Sequence, residues 1–163
     1  MAQLTTGLVT QDLAASSNTA LTQVGTIVQT TDGGQAMYVI AQSAIAVYDC
    51  VAIVNSSSAA GASICAAPIT TTNAATTSRV GFAQTALAAG GYGWVHLSGS
   101  NLRCNVATAC EPAVQLYTTA TGGVLDDAIV SAGYIAGVVA MTSAASASAV
   151  PVLVSFANRQ VIG

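Results

Sequence analysis

Apolar residues along this chain gather in short runs, each about a strand long, separated by clusters of Gly, Ser, Thr and Asn. Val24-Gly25-Thr26-Ile27-Val28 is the first run with strand character. Between Gln35 and Val54, β-branched and aromatic residues crowd two apolar runs divided by Gln42-Ser43, which predicts two strands rather than one helix. The Asn55 to Gly61 cluster reads as a turn. The stretch from Thr70 to Ser78, TTTNAATTS, follows Pro68 and reads as an exposed connection whose threonines disfavour helix, with strand resuming at Arg79. Val80 and Phe82 precede a Gly90-Gly91 turn, and Tyr92 to Leu97 alternates until Ser98-Gly99-Ser100, which is expected to break the strand. Thr118 to Gly123 and Leu125-Asp126-Asp127 are turn-rich, and Tyr134 to Ala140 and Val150 to Phe156 supply the last two strands.

No amphipathic stretch is long enough for a crossover helix, so the pattern predicts an all-β, single-domain β-barrel or β-sandwich with an extended N-terminal arm. The arm is placed at residues 1–25 and the β domain at 26–163. An arm of this kind adds contact area across a subunit boundary, which makes it an expected interface.

Composition sharpens this picture. The chain has 163 residues, of which 53% are hydrophobic and only 6% charged, with a net charge of -3. One domain with a sizeable core fits that length. So weakly charged a surface is expected to associate with partner subunits. There is no lysine, and Arg79, Arg103 and Arg159 stand far apart, so no cationic patch is available for a phosphate backbone and nucleic acid is not an expected partner. The mean hydropathy of +0.65 comes from Ala and Val diluted by Ser, Thr and Gly. No window reaches the roughly 18 uninterrupted apolar residues of a spanning helix, so no membrane partner is expected. The N-terminus lacks a basic start and a compact apolar run, and synthesis and first folding in the cytosol are expected. That compartment favours free thiols over disulfides at Cys50, Cys65, Cys104 and Cys110.

Candidate chemistry is sparse. His96 is the sole histidine, sharing a strand face with Trp94 and Ser98 while Val95 and Leu97 point the other way, as an ordinary histidine on a half-buried sheet does. Cys104 and Cys110 are spaced as neither a zinc knuckle nor a redox motif. Asp126-Asp127 lacks the further oxygen ligands of a calcium loop, and AAGGYGW lacks the Lys-Ser/Thr ending of a phosphate loop. The expectation is therefore no catalytic, cofactor-binding or metal site, no cofactor and no enzyme.

Three segments carry a family resemblance: RVGFAQTALAAGGYGWVHLSG from Arg79 to Gly99, LYTTATGGVLDDA from Leu116 to Ala128, and IAGVVAMTSA from Ile135 to Ala144. Together they hold about a quarter of the residues, and through them the chain resembles the small capsid decoration, or cement, proteins of tailed bacteriophages. The resemblance implies a β-rich, non-enzymatic virion subunit on the outer capsid surface, assembled from the host cytoplasm. Its implied partners are the major capsid protein, whose neighbouring copies it braces against internal DNA pressure, and itself, as a homotrimer. A tail, fibre or other filament-forming subunit is the alternative. A β-barrel binding module using Tyr92, Trp94 and His96 is a third reading.

Overall fold

The computed structural model describes residues 13–56, 63–77, 79–129 and 134–160. Its strands are β1 (Ile27–Gln29), β2 (Gln35–Ala41), β3 (Cys50–Ser56), β4 (Ser63–Pro68), β5 (Arg79–Ala83), β6 (Tyr92–Val106), β7 (Gln115–Thr118), β8 (Leu125–Asp126), β9 (Tyr134–Ala140) and β10 (Ser148–Gln160). The fold is all-β, as the sequence pattern predicts, and its helical content among the described residues is one 3-10 turn at Asn73–Thr76.

Five strands close a barrel in the order β2, β4, β3, β5, β6 and back to β2. Every neighbouring pair is antiparallel except β2 and β4. Closure removes free strand edges, which would otherwise invite pairing with another chain. The interior is filled by Met37, Val39 and Ala41 of β2, Val51 and Ile53 of β3, Ala66 of β4, Ala83 of β5, and Val95 and Leu97 of β6. This is the two-residue periodicity expected of strands with one face inside.

A second circuit of pairings runs from β6 through β8, β7, β9 and β10 back to β6. Its core holds Leu102, Cys104, Val106, Leu116, Leu125, Ile135, Val138, Val150, Val152 and Val154. The outward residues Cys50, Ala52, Val80 and Phe82 of the barrel join the same cluster, so the two units share one packed boundary.

That sharing depends on β6, which continues through Ser98-Gly99-Ser100 instead of ending there. Glycine provides a bend rather than a break: Gly99 takes φ +152, where a side chain would be strained, and the pairing with β2 shifts register between Gln35 and Ala36. Residues before the bend pair with β2 and β5, while residues after it pair with β10.

Two further expectations change. Thr70 to Ser78 is not wholly an exposed connection, because Ala74 is buried and the Thr77 hydroxyl donates to the Ile53 carbonyl at 2.8 Å. Thr70 and Asn73 bond reciprocally at the entry to the 3-10 turn, with Thr70 N–H on Asn73 Oδ1 at 2.7 Å and Asn73 N–H on Thr70 Oγ1 at 3.2 Å. Leu125-Asp126 forms the short strand β8 instead of part of a turn. The Asn55 to Gly61 turn lies largely outside the described residues.

The barrel contains a local repeat. Ala41-Gln42-Ser43-Ala44-Ile45 and Ala83-Gln84-Thr85-Ala86-Leu87 occupy matching corners, and Ile45 and Leu87 exchange both backbone hydrogen bonds at 2.9 Å. Around that centre, Ala41 N–H bonds the Gly91 carbonyl at 2.8 Å and Ala83 N–H bonds the Asp49 carbonyl at 2.9 Å. Tyr48 and Gly90 hold equivalent places with φ of 68° and 75°. The two corners are thus related by a local pseudo-twofold.

Candidate assembly surface

The residues singled out as possible chemistry do not converge. His96 is half-buried on β6 beside Ala36 and Phe82, with Nδ1 unpartnered. Burial holds its pKa below the ordinary value, and the Asp32 charge offsets that in part. Trp94 is only 4% exposed and packs on Tyr38, ring centroids 5.0 Å apart, while Tyr92 stacks on Tyr38 at 6.3 Å. Leu13, Val24 and Val28 pack against this cluster, and Leu21 N–H donates to the Tyr38 hydroxyl at 3.1 Å. Ser17 pairs with Tyr92 through an isolated bridge, and Tyr38 N–H bonds the Thr26 carbonyl at 2.9 Å. The Tyr92, Trp94 and His96 surface proposed for a binding module is therefore not open, because residues 13–28 lie across its aromatic part. The arm before Leu13 is outside the described residues.

The other candidates are structural. Asp127 Oδ2 accepts the Glu111 N–H at 2.9 Å, which ties two loops together. Asp49 is buried where the barrel meets the second circuit, accepting from Ala46 N–H at 2.8 Å and Asn105 Nδ2 at 3.1 Å. Burial nonetheless raises its pKa. All four cysteines are buried, and burial pushes the Cys110 thiol up to about 11. Among the described residues no group of three or more His, Cys, Asp and Glu side chains could hold a metal ion. No described helix is long and apolar enough to cross a membrane.

What the structure does gather is an outward apolar face on β9 and β10. Val139 and Leu153 are directly paired and are 38% and 45% exposed. Met141, 57% exposed, follows β9 and bonds the Pro151 carbonyl through its N–H at 2.9 Å. Pro151 is also exposed and pairs with Arg103 of β6. Arg103 is pinned, donating from Nη2 to the Ala149 carbonyl at 2.6 Å and sitting 5.5 Å from the Tyr48 ring centroid. Its backbone is bracketed by the Gln84 amide at 3.0 and 3.1 Å. Contiguous apolar side chains with an ordered polar rim are the features of a contact surface.

Sequence reasoning named none of these residues as a surface, although a signal was present. A strand with one solvated face alternates apolar and polar positions, whereas Val138-Val139 and Val150-Pro151-Val152-Leu153-Val154 are apolar on both faces.

No protein-family model matches the chain, and no curated protein matches it. Among solved structures it is similar to the head fiber gp8.5 N base in bacteriophage phi29, with a TM-score of 0.55 and 12% identity over 83% of this chain and 99% of that one. The likeness is one of fold and spans nearly the whole of that base.

Proposed function

We propose that this chain is a structural protein of a tailed-phage head, standing on the outer capsid surface and bracing neighbouring copies of the major capsid protein. The observation that carries the reading is the fold shared with a phage head-fibre base over 83% of the chain. The three segments that resemble decoration proteins support it independently, as does the exposed face of β9 and β10. In this reading that face rests on the shell, where Val139, Met141 and Leu153 leave water on docking and Arg103 is already ordered. The protein is not an enzyme, takes no cofactor, and engages neither nucleic acid nor membrane. It gathers in the host cytoplasm and joins the shell as a homotrimer.

A second reading is favoured by the same neighbour, which is itself the base of a fibre: the chain is the shell-proximal part of a head fibre. Both readings require the protein on the particle. Intact particles sedimented through a density gradient and digested with trypsin are expected to yield the Val80 to Arg103 peptide in fixed ratio to major capsid protein peptides. Finding that peptide only among soluble proteins at the top overturns both. Electron microscopy then separates them, since compact knobs support the cement role and projecting rods the fibre role.

A further inference from the structure

Two of the four cysteines meet across the boundary between the barrel and the second circuit. Cys50 opens β3, and Cys104 lies in the part of β6 beyond the Gly99 bend. Their chain neighbours are joined: Asn105 N–H donates to the Tyr48 carbonyl at 2.8 Å, and Asn105 Nδ2 donates to Asp49 Oδ1 at 3.1 Å. Side chains alternate along extended backbone, so where Asp49 and Asn105 touch on one side, Cys50 and Cys104 turn together to the other. Both are fully buried in one core cluster. Cys65 lies outside that cluster, and Cys110 is within it.

We propose that Cys50 and Cys104 are a disulfide site, closed when the protein passes from a reducing to an oxidising medium, and that the bond clips the barrel to the second circuit. The oxidant is a small-molecule disulfide of the oxidised-glutathione class. One cysteine, as thiolate, attacks a sulfur of that reagent and releases the first reduced thiol. The other cysteine, as thiolate, attacks the resulting mixed disulfide and releases the second. The protein's two S–H bonds and the reagent's S–S bond break, one protein S–S bond and two reagent S–H bonds form, and two electrons and two protons pass to the reagent. Burial keeps the Cys50 thiol protonated and out of reach, so closure proceeds through local opening and is accelerated by mild denaturant.

The test equilibrates the purified full chain with oxidised glutathione, with and without sub-denaturing urea, then unfolds it, alkylates remaining thiols and maps tryptic peptides by tandem mass spectrometry. The expected result is a bond between Cys50 and Cys104, reversed by dithiothreitol, with Cys65 and Cys110 alkylated. The unfolding midpoint should rise by about 5–15 °C. Four alkylated cysteines after equilibration, or a bond that uses Cys65 or Cys110 instead, overturn the proposal. Wild-type mapping decides this without any variant having to fold. Cys65→Ser should retain the bond, and Cys104→Ala should lose it.

Discussion

The barrel and the second circuit are both closed sheets that share β6, yet they treat their outward apolar residues in opposite ways. On the barrel, Tyr38 and Trp94 project outward from β2 and β6 and are covered by Leu13, Val24 and Val28 of the same chain. On the second circuit, Val139, Met141 and Leu153 project outward and are 38%, 57% and 45% exposed. The covering segment is not perfectly sealed either, since Leu21 and, on β1, Ile27 are exposed. The contrast is one of contiguity: the aromatic cluster has an internal cover, while Val139 and Leu153 form a cross-strand pair without one among the described residues. An outward face built as a core and left uncovered is where a partner gains most from burial.

Tyr38 is the most sensitive position of the covered face. Its ring is 1% exposed and touches both Tyr92 and Trp94, so Tyr38→Ala removes the centre of the covered face. Urea denaturation should show a loss of about 3–5 kcal/mol. A loss under about 1 kcal/mol would mean that the cover contributes little and that the two outward faces are energetically alike.

Leu153→Glu makes the opposite experiment. Folding stability should change by less than about 1 kcal/mol, because the side chain already stands in water. Occupancy on the particle should fall steeply, by about 30-fold in affinity for a contact worth about 2 kcal/mol. Full occupancy with the charged variant would remove β9 and β10 from the assembly surface and return attention to the arm.

How far this division could be read beforehand depended on which side of each strand carried information. The barrel strands were legible because Tyr92 to Leu97 alternates and because the two runs between Gln35 and Val54 are strand-length. β4 escaped notice because Ser63–Pro68 is small and Ala-rich, and its strand character comes from pairing with β2 and β3 rather than from its own residues. β7 was hidden similarly, as Gln115–Thr118 has only Leu116 and Tyr117 to mark it. The continuation of β6 past Gly99 was misread because glycine is both a strand ender and a bend former, and only partner strands decide between them. The repeated Ala-Gln-Ser/Thr-Ala corners stand in the sequence at residues 41–44 and 83–86, but four letters do not reveal that they pair about a local twofold. That the aromatic face is covered depends on contacts between distant parts of the chain, which no local pattern encodes.

Those corners offer a finer comparison within the barrel. Tyr48 and Gly90 hold the same left-handed backbone, but a side chain at Gly90 would meet nothing within 4 Å, whereas Tyr48 lies under Arg103. Gly90→Ala should therefore cost about 1 kcal/mol from backbone strain alone. Tyr48→Gly relieves a comparable strain but gives up the cation–π contact, also worth about 1 kcal/mol, so the net change should lie near zero. A Tyr48→Gly loss well above the Gly90→Ala loss, in thermal or urea unfolding, would show that Arg103 depends on Tyr48 for its place beside Pro151.

The smallest expected effect is a pH dependence on the barrel side, where the only histidine of the chain lies. Burial lowers the pKa of His96 from 6.5, and Asp32 is the charge that opposes this. As pH falls through that value, the unfolded chain takes up a proton that the native ring still refuses. Stability should therefore decline between about pH 7.5 and pH 5.5, and the loss should level off once the native ring is protonated as well. Asp49 acts in the other direction but lower on the scale: burial raises its pKa from 3.8, so its ionisation weakens the fold as pH rises through the carboxylate range. His96→Gln should flatten the decline above pH 5.5. Amide protection factors, corrected for the intrinsic pH dependence of exchange, should fall in β2 and residues 13–28 before they do in β9 and β10, because the histidine sits on the barrel's strands and not on theirs. If protection falls equally everywhere, or the glutamine variant keeps the full decline, the two units do not respond separately and their difference lies in surface cover alone.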